Sequence, residues 1–148
     1  MLPTWKPQYS VNHSLLDAQH QELFRLALEV YTLSPQRATK EKVRTLLKNF
    51  YMYMKEHFKE EEAYMEEIGY ENREEHGVLH ADIIEAMNGI LQQSHSFLEI
   101  QAAMRKIVRV WLMEHILVHD IQYEKWRKAK RREEAQAKPI APDEITDL

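Results

Sequence analysis

Histidines at helical core positions carry most of the chemistry that this sequence offers. The chain has eight His and no Cys in 148 residues. His57 and Glu61 form an HxxxE step, and His76 and His80 form an HxxxH step. Residues four apart sit one above the other on a helix, so each pair aims two donors at one place. His20, His115 and Asp120 add three more candidate ligands. Without a thiolate, this mixed nitrogen and oxygen set suits iron, zinc, copper or manganese, and ligand chemistry alone does not choose among them. Five imidazoles and two carboxylates are too many for one ordinary centre. They suit two metals with the carboxylates bridging.

The elements that must position these groups are helices. Long stretches lack both Gly and Pro, with only three Gly and five Pro in all, which disfavours a turn-rich β fold. The pattern predicts a first helix from about Ser14 to Leu33, broken at Ser34-Pro35. A second runs from about Gln36 to Ile68 and ends at Gly69. A third follows Asn72 and reaches about Gln92. A fourth spans about Phe97 to Lys130. Short connections make the fold all-α, an up-down-up-down antiparallel four-helix bundle with an N-terminal arm at residues 1–13. Residues 1–132 are read as one domain and residues 133–148 as a loosely ordered tail.

Each helix carries an apolar stripe interrupted by histidine. The second reads Val43, Leu47, Phe50, Met54, His57, Glu61, Tyr64, Ile68 at steps of four and three. The first reads Leu16, His20, Leu23, Ala27, Val30, and the third His76, His80, Ile83, Met87, Ile90. The fourth reads Met104, Val108, Trp111, His115, Val118. Each unpaired buried polar group costs about 1–3 kcal/mol, against a total stability of roughly 5–15 kcal/mol. These groups therefore need a shared partner. In the expected topology, the starts of helices one and three lie beside the ends of helices two and four. All the candidate ligands then fall at one level.

The remaining composition excludes several classes. A net charge of −4 gives no sign of a nucleic-acid binder. No run approaches a membrane span, and Met1 to Pro7 contains no apolar signal segment. The absence of Cys excludes disulfides and iron–sulfur clusters. A cytoplasmic protein is expected, monomeric or weakly oligomeric, with no membrane partner. An unidentified protein partner is left open. His13 and His95 are assigned to the surface. Glu60, Glu62, Glu66 and Glu67 are assigned to a solvated face, and the Lys/Arg run from Lys125 to Arg132 to a helix end in solvent.

The motifs resemble the hemerythrin family, in particular its stand-alone bacterial members. The matching pieces are Asp17-Ala18-Gln19-His20, His57-Phe58-Lys59-Glu60-Glu61 with Met65 and Gly69-Tyr70, His76-x-x-x-His80, and Trp111 to Asp120 with its HxxxxD spacing. The resemblance implies two iron ions (Fe2+/Fe3+) with an oxo or hydroxo bridge. It implies that His76, His80 and His115 hold one iron, that His20 and His57 hold the other, and that Glu61 and Asp120 bridge them. Dioxygen would bind at the open position of the second iron and be reduced to hydroperoxide. Leu23, Phe58, Trp111, Leu112 and Ile116 are expected to line that pocket, with no catalytic residue. Glu71 stands where the family often has Pro, a departure confined to a loop.

His119 is a rival to Asp120, because it completes an HxxxH step with His115. Asp120 is preferred on family spacing and the need for a second bridge. A five-residue step is about 140° off register on an ideal α-helix, so a locally wide, π-type turn is expected there. The leading function is reversible dioxygen binding for storage, delivery or buffering. The alternatives are an oxygen or redox sensor, an enzyme acting on peroxide or nitric oxide, and an iron donor for cluster repair. The Glu-x-x-His pairs of ferritin-like oxidases are absent from the candidate sites.

Overall fold

The computed structural model describes residues 4–93 and 96–137, and these are all-helical, without a strand among them. The helices are α1 (Ser14–Thr32), α2 (Lys40–Glu67), α3 (Arg73–Gln93), α4 (Phe97–Lys106) and α5 (Ile121–Ala137). Residues Ile107–Met113 and His115–Asp120 are wound as π-helix, joining α4 to α5 as one rod. Helix α1 packs on α2 and α4, α2 on α3, and α3 on α4 and the first π segment. The result is the antiparallel four-helix bundle expected from the stripes.

Local chemistry sets the ends. The second helix starts at Lys40 rather than Gln36, because Thr39 caps it by accepting the Lys42 N–H. Gly69, at φ 69°, ends the α2 turn and lets the Tyr70 N–H reach the Met65 carbonyl. Ser96 caps α4 through the Glu99 N–H. The fourth rod passes Lys130 and stays helical to Ala137. Residues 133–137 are thus helix rather than loose tail, while the rest of that tail, 138–148, lies outside the described residues, as does His95.

The arm is built rather than merely extended. Pro7–Tyr9 make a 3-10 turn, and Val11 is fully buried. Its N–H and the Ser10 hydroxyl both donate to the Asp17 carboxylate. His13 is half-buried rather than on the surface: its Nδ1 accepts the Leu16 N–H as the cap of α1, and its ring meets Tyr64 edge-on.

Two apolar clusters divide the interior. The larger includes Leu23, Met54, Phe58, Ile83, Leu112 and Ile116; the smaller comprises Val11, Leu16, Met65, Tyr70 and Tyr123. His57 and His115 sit among residues of the larger cluster, and other candidate ligands fall between the two. His20, for example, lies between Leu16 and Leu23, and Glu61 lies between Phe58 and Met65. The polar layer is therefore enclosed on both sides by dry core.

Candidate metal centre

All seven sequence-derived ligands are buried and converge. Glu61, His76, His80, His115 and Asp120 form one group able to hold a cation; His20, His57, Glu61 and Asp120 form a second. The two carboxylates belong to both. One oxygen of Glu61 lies 2.8 Å from His76 Nε2 and 2.9 Å from His80 Nε2; the other lies 3.4 Å from His20 Nε2 and 3.2 Å from His57 Nε2. Asp120 repeats the pattern, with Oδ1 2.9 Å from both His76 and His115 and Oδ2 3.0 Å from His20.

Hydrogen bonds alone do not satisfy this cluster. Both Asp120 oxygens are buried with no hydrogen-bond partner in acceptable geometry, as is His20 Nδ1. His80 Nε2 and His115 Nε2 lie 2.8 Å apart and both approach the same Glu61 oxygen, so three polar atoms crowd one point. Buried polar atoms in native proteins normally find partners. Cations at the focus of these nitrogens and oxygens would supply them, and the donor set fits iron.

The π winding explains how Asp120 joins. A π turn closes from i to i+5, which returns Asp120 to the face of His115 and brings the two side chains within 2.9 Å. The same winding overturns one expectation. Val118 continues the stripe at α-helical spacing, yet it is 47% exposed, because the wider turn rotates it outward. His119 stays outside the ligand cluster. It is half-buried and lines a cavity of about 110 Å³ with Leu79, Ile83, Val110, Glu114 and His115. We expect His119→Leu to retain the full metal complement by elemental analysis; loss of metal would reinstate it as a ligand.

Electrostatics follow from the enclosure. Burial works against the imidazolium of His20, but Asp120 and Glu61 outweigh it and hold its pKa up at about 9. His115, likewise disfavoured by burial, is carried by Asp120 and Glu61 to about 10. Burial alone pushes Glu61 upward, yet His115, His20, His57 and His76 hold it well below the usual carboxylate range. Burial and Glu61 raise Asp120, but His115 and His20 bring it below its ordinary value. Burial keeps His57 below the usual histidine value, which favours the neutral ring that a metal requires.

Of the expected pocket residues, Leu23, Phe58, Leu112 and Ile116 are buried; the Trp111 side chain lies outside the described residues. Phe58 stacks on His80 with centroids 3.8 Å apart and planes 5° from parallel, which fixes the imidazole plane. Three contributors were not singled out from the sequence. Gln19 Oε1 lies 2.7 Å from His57 Nδ1 and accepts a hydrogen bond from its N–H, leaving Nε2 free to face inward. Tyr123 is fully buried and directs its hydroxyl at Glu61 from 3.5 Å. Its position three residues after Asp120 was the available signal. Glu62, assigned to a solvated face, stands beside His80.

The hemerythrin HHE cation-binding domain model matches residues 11–125. The chain is 27% identical over 122 residues to a bacteriohemerythrin of Campylobacter jejuni, covering 82% of this chain and 92% of the relative. It is 27% identical over 119 residues to a myohemerythrin of Theromyzon tessulatum, covering 80% and 88%. Against a hemerythrin subunit alpha of Lingula reevii it is 27% identical over 121 residues, covering 80% and 90%. No solved structure matches. No helix among the described residues is long and apolar enough to cross a membrane.

Proposed function

The chain belongs to the hemerythrin family, and from that premise we propose that it binds dioxygen reversibly at a carboxylate-bridged pair of iron ions. Residues 1–132 are the unit that does so. The observation that supports this reading best is the sharing of Glu61 and Asp120 between two buried ligand groups. His76, His80 and His115 would hold one iron, and His20 and His57 the other. His20 and His57 offer one imidazole fewer, so an iron held there would have a ligand position to spare. Bound there, the ferrous pair supplies electrons and a place for dioxygen.

The chain's own residues then decide between holding and turnover. Leu23, Leu112 and Ile116 are buried aliphatic neighbours of the ligands, and none can donate a proton. An enzyme usually sets an acid or base beside its open position. Tyr123, a hydroxyl donor beside the ligand cluster, is engaged toward Glu61 from within the smaller cluster, and burial with Glu61 and Asp120 makes its phenol a much weaker acid. Binding without consumption follows.

Reduced, iron-loaded protein exposed to air should develop a visible absorption band that fades under argon. Multiple turnover of peroxide or nitric oxide, with no reversible band, would sink this reading. Leu112→Ala should shorten the lifetime of the air-induced band by admitting water, at a stability cost of about 2–5 kcal/mol. An unchanged lifetime would remove Leu112 from the lining.

A further inference from the structure

We propose that Glu62 positions His80 for metal binding: its carboxylate, admitted by the missing side chain of Gly77, accepts the His80 Nδ1–H and fixes the ring with Nε2 on the centre. This rests on the metal-site reading above.

His80 is buried, and its Nδ1 has no hydrogen-bond partner. A ligating histidine normally donates its other ring N–H to an outer acceptor, which sets the tautomer and strengthens the donor nitrogen. Glu62 Oε2 lies 3.6 Å from that nitrogen. This exceeds a hydrogen-bond length, but the Glu62 side chain is 47% exposed and free to swing inward. Once a metal holds Nε2, the proton must sit on Nδ1, and the contact closes.

Gly77 is the second observation. Glycine inside a helix costs about 1 kcal/mol relative to alanine. At residue 77 a Cβ would lie 3.0 Å from Glu62 Oε1, whereas at Gly89 it would meet nothing within 4 Å. The gap at 77 is occupied by the carboxylate. It opens onto a cavity of about 450 Å³ between α2 and α3, whose lining includes Phe58, Lys59, Glu62, Gly77 and His80. The two sides of the centre are thus held differently. A neutral amide, Gln19, backs His57, and a carboxylate backs His80.

Cobalt(II) titration of metal-free protein tests this without any dioxygen chemistry. Glu62→Ala should bind cobalt about 10–100-fold more weakly. Glu62→Gln keeps an acceptor and should recover most of that loss. Gly77→Ala should lose part of the affinity by displacing the carboxylate with its charge intact. Glu66→Ala, an exposed carboxylate elsewhere on α2, controls for general charge. In the cobalt-loaded protein, the shifted His80 Nδ1–H resonance should exchange slowly with solvent in the wild type and in Glu62→Gln, and quickly in Glu62→Ala. Equal affinity in Glu62→Ala and wild type overturns the proposal. So does a loss matched by Glu66→Ala, or one that Glu62→Gln fails to recover. Gly77→Ala binding as tightly as wild type overturns the part assigned to the gap. A wild type that takes up no cobalt overturns the metal-site reading itself, and this proposal with it.

Discussion

Glu61→Ala is expected to abolish binding of both metal ions, not of one. Its two oxygens face different histidine groups: Oε1 approaches His76 and His80, and Oε2 approaches His20 and His57. Removing it leaves five imidazoles around Asp120 alone. Whatever cations remained would face each other across the layer with half of the anionic charge gone. The cost is far larger than for a surface carboxylate, because Glu61 is fully buried and the dry clusters on either side exclude compensating water. Elemental analysis of the folded variant, with helicity checked by circular dichroism, reads the outcome. Retention of a full metal complement would end the bridging assignment.

Removing the metal from the wild type is expected to make stability strongly pH-dependent, with a defined sign. In the metal-free protein His20 and His115 carry pKa values of about 9 and about 10, above the unfolded value of 6.5. A raised pKa contributes stability that is fully present below 6.5 and is lost as pH rises through 9 to 10. Glu61 and Asp120 are depressed, so their contribution is present above the ordinary carboxylate range and is lost in acid. Chelated protein should therefore be most stable near pH 6 and weaken progressively to pH 10. The loaded protein, whose ligands are already deprotonated by the metal, should lack that alkaline loss. Urea midpoints at pH 6, 8 and 10, with and without chelator, measure both. Parallel profiles for the two forms would refute the argument. Metal uptake should also release protons.

The four helices and six of the seven buried candidate ligands were legible because histidine and carboxylate occupied positions where the period demanded Leu or Ile; Asp120 stood out by its HxxxxD spacing alone. His57 and Glu61, or His76 and His80, need nothing beyond helical spacing to be seen. Groups that act from behind a ligand leave no such trace. Gln19 is polar beside a polar residue, and Glu62 is one acid in an acidic run; only the fold shows that each stands against a ring nitrogen. His13 was misread for a related reason: an imidazole serving as a helix cap has no periodicity. Val118 was misplaced because its register was extrapolated with α geometry across a stretch that abandons it. The HxxxxD spacing signalled a wide turn, but not that the widening would run through nearly all of 107–120.

That widened stretch also makes chain length a determinant of the site. A π segment holds more residues per turn than the α-helix it interrupts, so it behaves as an insertion stored in the rod. Deleting one residue between Ile107 and His115 with the winding otherwise kept would turn everything beyond by nearly the angle of one residue, about 100° on an α-helix. His115, Asp120 and Tyr123 would then leave the interior together, although no ligand had been mutated. Tolerance to insertion and deletion should therefore vary sharply along this protein. The 34–39 connection, an exposed turn far from the ligands in sequence, can absorb a change in length. The fourth rod cannot, and its length is as much a part of the metal centre as the histidines are.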